Sequence, residues 1–107
     1  MDSVINFIST SLQIPYIEEE AAVMDGSFCL SPYMTDGLEG NGEIQSVTNL
    51  YAIDLFYKDK RHAVRNATLL WKMMNAEKNY CCDSPTYVLE QAAGLWRASL
   101  RAQEVIE

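Results

Sequence analysis

His62 is the single histidine of this 107-residue chain, and acid–base or metal chemistry there would need other side chains converging on it. No serine, cysteine or second histidine stands at a spacing that suggests a triad or a metal site, so His62 reads as a solvated helix residue. Cys29, Cys81 and Cys82 are odd in number and lack C-x-x-C spacing, which indicates neither a disulfide framework nor a zinc site. They read as free thiols, and Cys81 and Cys82 as inert ones, because nothing near that pair in sequence would depress a thiol pKa. Glu18, Glu19 and Glu20 could ligate a hard cation, but consecutive residues of a strand point to opposite faces and do not converge. The triplet reads as a solvated run of charge.

The stretch Asp36-Gly37-Leu38-Glu39-Gly40-Asn41-Gly42-Glu43 is acidic and glycine-rich, yet it has neither the EF-hand pattern nor a phosphate-cradling G-x-G-x-x-G or Walker lysine motif. It is expected to be an exposed loop between strands. Asn66-Ala67-Thr68 matches a glycosylation sequon but falls inside an expected helix. Trp71 and Trp96 read first as core packing and second as interface anchors. No cofactor or metal is implied, and no catalytic set emerges.

The elements that must position these residues follow from periodicity. Val4, Ile5, Ile8 and Leu12, behind Asp2 or Ser3 as cap, predict a helix over 3–13, ending before Pro15. Pro15-Tyr16-Ile17 could open a short strand. Ser27–Met34 reads as a second strand, with Pro32 marking an edge position. Val47 to Tyr57 is a β-rich run, apolar on both sides except at Asn49 and Asp54, and should be central. Asp59 caps the next segment, whose apolar stripe of Ala63, Ala67, Leu70 and Met74 with Val64, Trp71 and Met73 predicts a helix to about Glu77. Asn79 and Asp83-Ser84-Pro85 break that pattern and leave Cys81 and Cys82 in a connection, before a strand over Thr86–Leu89. Residues 92–106 fit either a helix or a strand. A strand from Gly94 to Val105 is preferred, since glycine within a helix costs about 1 kcal/mol and the alternation is unbroken. The expected fold is one α+β domain over 1–107, with a mixed or antiparallel sheet of four to five strands backed by two helices.

Apolar residues make up 49% and charged residues 21%, which suits a folded globular chain. No apolar run reaches the roughly 20 residues of a membrane helix, and the opening residues lack a basic signal region, so a cytosolic home is expected. Residues 1–56 carry nine carboxylates and no Lys or Arg, while the remainder carries eight basic and six acidic residues. Such polarity suits a head-to-tail protein contact. It argues against nucleic-acid binding, because only Lys58, Lys60, Arg61 and Arg65 approach a basic patch. The candidate self-assembly surfaces are therefore Lys60, Arg61 and Arg65 on one side and Glu18, Glu19 and Glu20 on the other.

The join Tyr51-Ala52-Ile53-Asp54-Leu55-Phe56-Tyr57-Lys58-Asp59-Lys60, the later Gly94-Leu95-Trp96-Arg97-Ala98 and the early Leu12-Gln13-Ile14-Pro15-Tyr16 resemble tail terminator or tail-completion proteins of tailed bacteriophages, in the family's order. The resemblance implies a non-enzymatic virion subunit, made in the bacterial host cytoplasm. Copies would form a ring, hexameric in this family, that caps the tail tube and joins it to head or neck proteins. DNA would pass only as cargo, with no membrane partner. The adjacent cysteines and compact loops depart from the family pattern and leave a neighbouring neck component open. Two other classes also stay open: an adaptor module binding a different protein, and a small enzyme with an unrecognised carboxylate site.

Overall fold

A computed structural model describes residues 2–40 and 43–106, with side chains described outside 33–47 and 106. Helix α1 (Asp2–Leu12) buries Val4 and Ile8, one helical turn apart, and stops at Gln13, whose φ of 54° turns the chain out of the helix. Tyr16 does not open a strand of its own but makes a single parallel bridge to Phe28. A 3-10 turn (Glu20–Ala22) follows, so Glu18, Glu19 and Glu20 occupy a bend and a turn rather than a strand. Strand β1 (Ser27–Gly40) pairs antiparallel with β2 (Glu43–Tyr57).

Helix α2 (Lys60–Asn75) begins where the Asp59 side chain accepts a hydrogen bond from the Arg61 amide at 2.9 Å. Its stripe of Ala63, Ala67, Leu70 and Met74 is fully buried, while Val64 at the margin is 37% exposed. Strands β3 (Tyr80–Cys82), β4 (Thr86–Glu90) and β5 (Leu95–Ile106) complete the chain. The sheet is five-stranded and antiparallel, in the order β1-β2-β5-β3, with β4 also on β5. β5 pairs with β2 along one edge, whereas β4 and β3 share its other edge end to end, against residues 95–99 and 102–104. The fold is α+β, and the preference for a strand over a helix in the last segment holds. Gly94 adopts φ 66° in the turn leading into β5, a conformation that side chains resist.

Two expectations are corrected. Asp36 to Gly40 and Glu43 belong to paired strands rather than to a loop; of that stretch only residues 41 and 42 lie outside the described residues. Residues 38–40 and 43–46 form a two-stranded arm past Val47↔Ile106, the last pair between β2 and β5, so among the described residues no third strand imposes an apolar alternation there. Cys81 and Cys82 lie in β3 and not in a connection. Asn75, at the end of α2, specifies that strand: its side-chain amide donates to the Cys82 carbonyl at 2.9 Å and its oxygen accepts from the Cys82 amide at 2.8 Å. The Trp71 indole N–H adds a bond to the same carbonyl at 3.0 Å.

The expected edge role of Pro32 is explained by backbone direction. The Phe28 amide donates to the Pro15 carbonyl and the Phe28 carbonyl accepts from the Ile17 amide, both away from β2. Alternation puts Leu30 and Pro32 on the same outer rim, so the missing N–H of Pro32 costs the β1–β2 ladder nothing.

Both helices pack on one face of the sheet, where Val4 and Ile8 meet Phe28, Leu30, Ile53, Leu55, Leu70, Met74, Ala98 and Leu100. The other face carries a smaller cluster of Cys29, Phe56 and Leu95, roofed by Ile17 and Val23. The radius of gyration is 14.7 Å with extents of 51 × 26 × 21 Å, against about 13 Å for a compact domain of this length. The long β1–β2 arm accounts for the elongation.

Candidate functional site

The residues singled out by charge fall into two groups held by successive residues of β5. Trp96 faces the helices, and the Lys60 ammonium sits 4.8 Å from its ring centroid. Lys60, Arg61 and Arg65 gather with Val64 around a shallow depression on the first turns of α2. The Asp59 cap carboxylate sits at the positive end of the α2 dipole, and within the first turn itself the helix carries Lys60 and Arg61 and no acidic residue. His62 is exposed on the same helix.

Arg97, the next residue, points to the opposite face. Its guanidinium contacts Glu20 and Asp54, lies 2.8 Å through Nε from Glu90, and stacks 5.2 Å from the Phe56 ring centroid. The Glu90 approach is off the N–H direction and so is ionic rather than a well-formed hydrogen bond. Ser99 donates to Asp54 at 2.7 Å and holds that carboxylate in place. Ile17 and Val23 pack on this face, so the segment carrying Glu18, Glu19 and Glu20 lies across the sheet from the start of α2.

The structure thus brings Lys60, Arg61 and Arg65 together and keeps the glutamates away from them. Glu18, Glu19 and Glu20 are all exposed, as a solvated run of charge is, and Glu20 is in addition engaged by Arg97. The half-to-half segregation of charge in the sequence is partly undone in space, since Arg97 from the second half neutralises Glu20 and Asp54 from the first.

Other chemistry-bearing groups are structural. Glu104, 5% exposed, accepts from Ser3 at 2.9 Å and from the Tyr51 hydroxyl at 3.2 Å, joining β5 to the first turn of α1 and to β2. Burial raises the pKa of Tyr51, and the neighbouring Glu104 carboxylate raises it further. Burial, with lesser contributions from Asp83 and Cys81, pushes the Cys82 thiol up to about 12. Burial followed by the Asp54 charge raises Cys29, while Cys81 is exposed. Thiols held protonated are poor nucleophiles. The Tyr57 hydroxyl is buried with no hydrogen-bond partner among the described residues, and its pKa is raised to about 12 by burial and then by Asp25. Trp71 and Trp96 are half-buried against the core.

A polar cleft of Asp83, Ser84, Thr86, Ser99 and Arg101 opens on the Arg97 face, where the chain passes from β3 to β4. Among the described residues no three His, Cys, Asp or Glu side chains are grouped as a metal ion would require, and no helix is long and apolar enough to cross a membrane. Sequence reasoning missed Arg97, Glu104 and Asn75. Each lies among ordinary strand or helix residues, and its partner is 7 to 101 positions away. No protein-family model and no curated protein matches the chain.

Proposed function

We propose that this protein is a non-catalytic assembly subunit whose copies join head to tail, the acidic segment Glu18–Glu20 of one against Lys60, Arg61 and Arg65 of the next. One observation carries this reading: the two groups lie on opposite faces of one sheet, where they cannot neutralise each other within a chain. A heterologous contact of this kind closes into a ring when the rotation between neighbours allows it. Glu18 and Glu19 supply most of the acidic surface, because Glu20 is shared with Arg97. The resemblance of the strand-to-helix join supplies the finer reading. The ring, six-membered by that analogy, would cap a phage tail tube and join it to head or neck proteins, placing the chain in the virion.

Each exposed ion pair is worth only about 0–1 kcal/mol, so a single reversal should do little. The triple variant Lys60→Glu, Arg61→Glu, Arg65→Glu should abolish assembly on isolated tail tubes, and rising salt should weaken wild-type assembly. Electron microscopy of tube ends and joined particles gives the readout, with circular dichroism to establish that the variant is folded. A folded triple variant that joins heads to tails normally removes this interface.

A further inference from the structure

The sheet has two lateral edges, and they are not equivalent. On β1 the segment Pro15–Ile17 bonds to the outer side of Phe28, Pro32 removes an outward N–H, and the register shifts between Pro32 and Met34. These are the devices that keep one sheet from adding to another. β4 has none of them. Its five residues, Thr86-Tyr87-Val88-Leu89-Glu90, pair with β5 in unbroken register, contain no proline, lysine or bulge, and among the described residues have no strand on their outer side. Its apolar side chains remain in solvent: Val88 is 55% and Leu89 42% exposed.

We propose that β4 is a homodimerisation edge, at which β4 of a second copy adds antiparallel across a two-fold axis to make one continuous ten-stranded sheet. The occupant follows from the register. With Val88 opposite Val88 of the second copy, all five residues pair, with Tyr87 opposite Leu89 and Thr86 opposite Glu90. Directly opposed residues of an antiparallel pair share a face. Tyr87 and Leu89 lie on the helix side, since they pair with Ala98 and Trp96 of β5, and Val88 lies on the Arg97 side. Leu89 would therefore be covered by Tyr87 of the second copy, and Val88 by its own equivalent, with no like charges opposed. A shift of register leaves one of the two exposed apolar residues without an opposed apolar partner. The contact is isologous and uses neither the start of α2 nor the Glu18–Glu20 segment, so it stands apart from the ring reading.

Two measurements on the full chain test it. In sedimentation equilibrium at high salt, where the charged head-to-tail contact is screened, the wild type should have twice the 12.1 kDa mass of the chain, because the β4 contact is apolar and main-chain. Val88→Lys, a gatekeeper at an exposed position, should sediment as a monomer with unchanged circular dichroism. In a Cys81→Ser background, Val88→Cys should oxidise to a covalent dimer at least about tenfold faster than Lys72→Cys on the exposed helix surface, because opposed Cα atoms about 5 Å apart suit a disulfide. Leu89→Cys, which faces position 87 and not itself, should oxidise more slowly than Val88→Cys. A monomeric wild type, a dimeric Val88→Lys variant, or equal oxidation at positions 72, 88 and 89 would each overturn the proposal.

Discussion

Stability should fall on the alkaline side, and Cys82 should make the largest single contribution to the fall. Its thiol is 5% exposed, and its pKa rises from 9.0 to about 12 on folding; that of Tyr57 rises from 10.0 to about 12. Between the two values of each group the unfolded chain has lost a proton that the folded chain retains, so rising pH favours unfolding. The stabilising contribution is complete below about pH 9 and is lost as the pH climbs toward 12. At about 1.36 kcal/mol per pH unit, Cys82 should cost about 2 kcal/mol by pH ~10.5 and Tyr57 about 1 kcal/mol. Urea unfolding at pH ~7.5 and ~10.5 measures the difference directly. Cys82→Ala loses packing equally at both, so its absolute stability drops while the fall between the two pH values should shrink by about 2 kcal/mol. Tyr57→Phe should shrink it by about 1 kcal/mol and should not destabilise at neutral pH, because the hydroxyl it removes has no partner. A Cys82→Ala variant that falls as steeply as the wild type would refute the reasoning.

Leu55 and Leu70, both fully buried in the cluster between sheet and helices, should each cost about 2–5 kcal/mol on substitution by alanine, measured by chemical denaturation. Asn75→Ala should cost about 1–3 kcal/mol, because it leaves the Cys82 amide unpaired, and should speed hydrogen exchange at that amide. Gly94→Ala meets no atom within 4 Å of the added carbon, so any loss reports backbone strain at φ 66° alone, about 1–2 kcal/mol in the same assay.

The elements legible in the sequence are those whose periodicity burial imposes. α2 shows its stripe because Ala63, Ala67, Leu70 and Met74 all meet the sheet, and β5 alternates because Ala98, Leu100 and Ala102 face the helices while Arg97, Ser99 and Arg101 do not. Residues 38–40 are hard to read as strand because they lie past Val47↔Ile106, the last pair between β2 and β5, whereas Asp36 and Gly37 still lie opposite residues that pair with β5. β3 escaped detection because three residues give no period, and because it is fixed by an asparagine seven positions earlier. The charged groups were half legible. Arg61 and Arg65 lie one helical turn apart with Lys60 next to Arg61, and so must cluster, but Glu20 meets Arg97 only through a register and a chain reversal that no local pattern encodes.

The position of β5 bears on how the chain acquires its structure. Three strands pair with it directly, and it follows all of them in sequence. As the polypeptide leaves the ribosome, β2 offers an unsatisfied ladder from Val47 to Tyr57 until Leu95 and the residues after it emerge, and neither β3 nor β4 has a template before then. Closure must await sequence-distant pairing, which predicts slow folding for a domain of this size and a nascent intermediate prone to sticking. A premature stop anywhere before Leu95 should yield insoluble product rather than a smaller folded fragment.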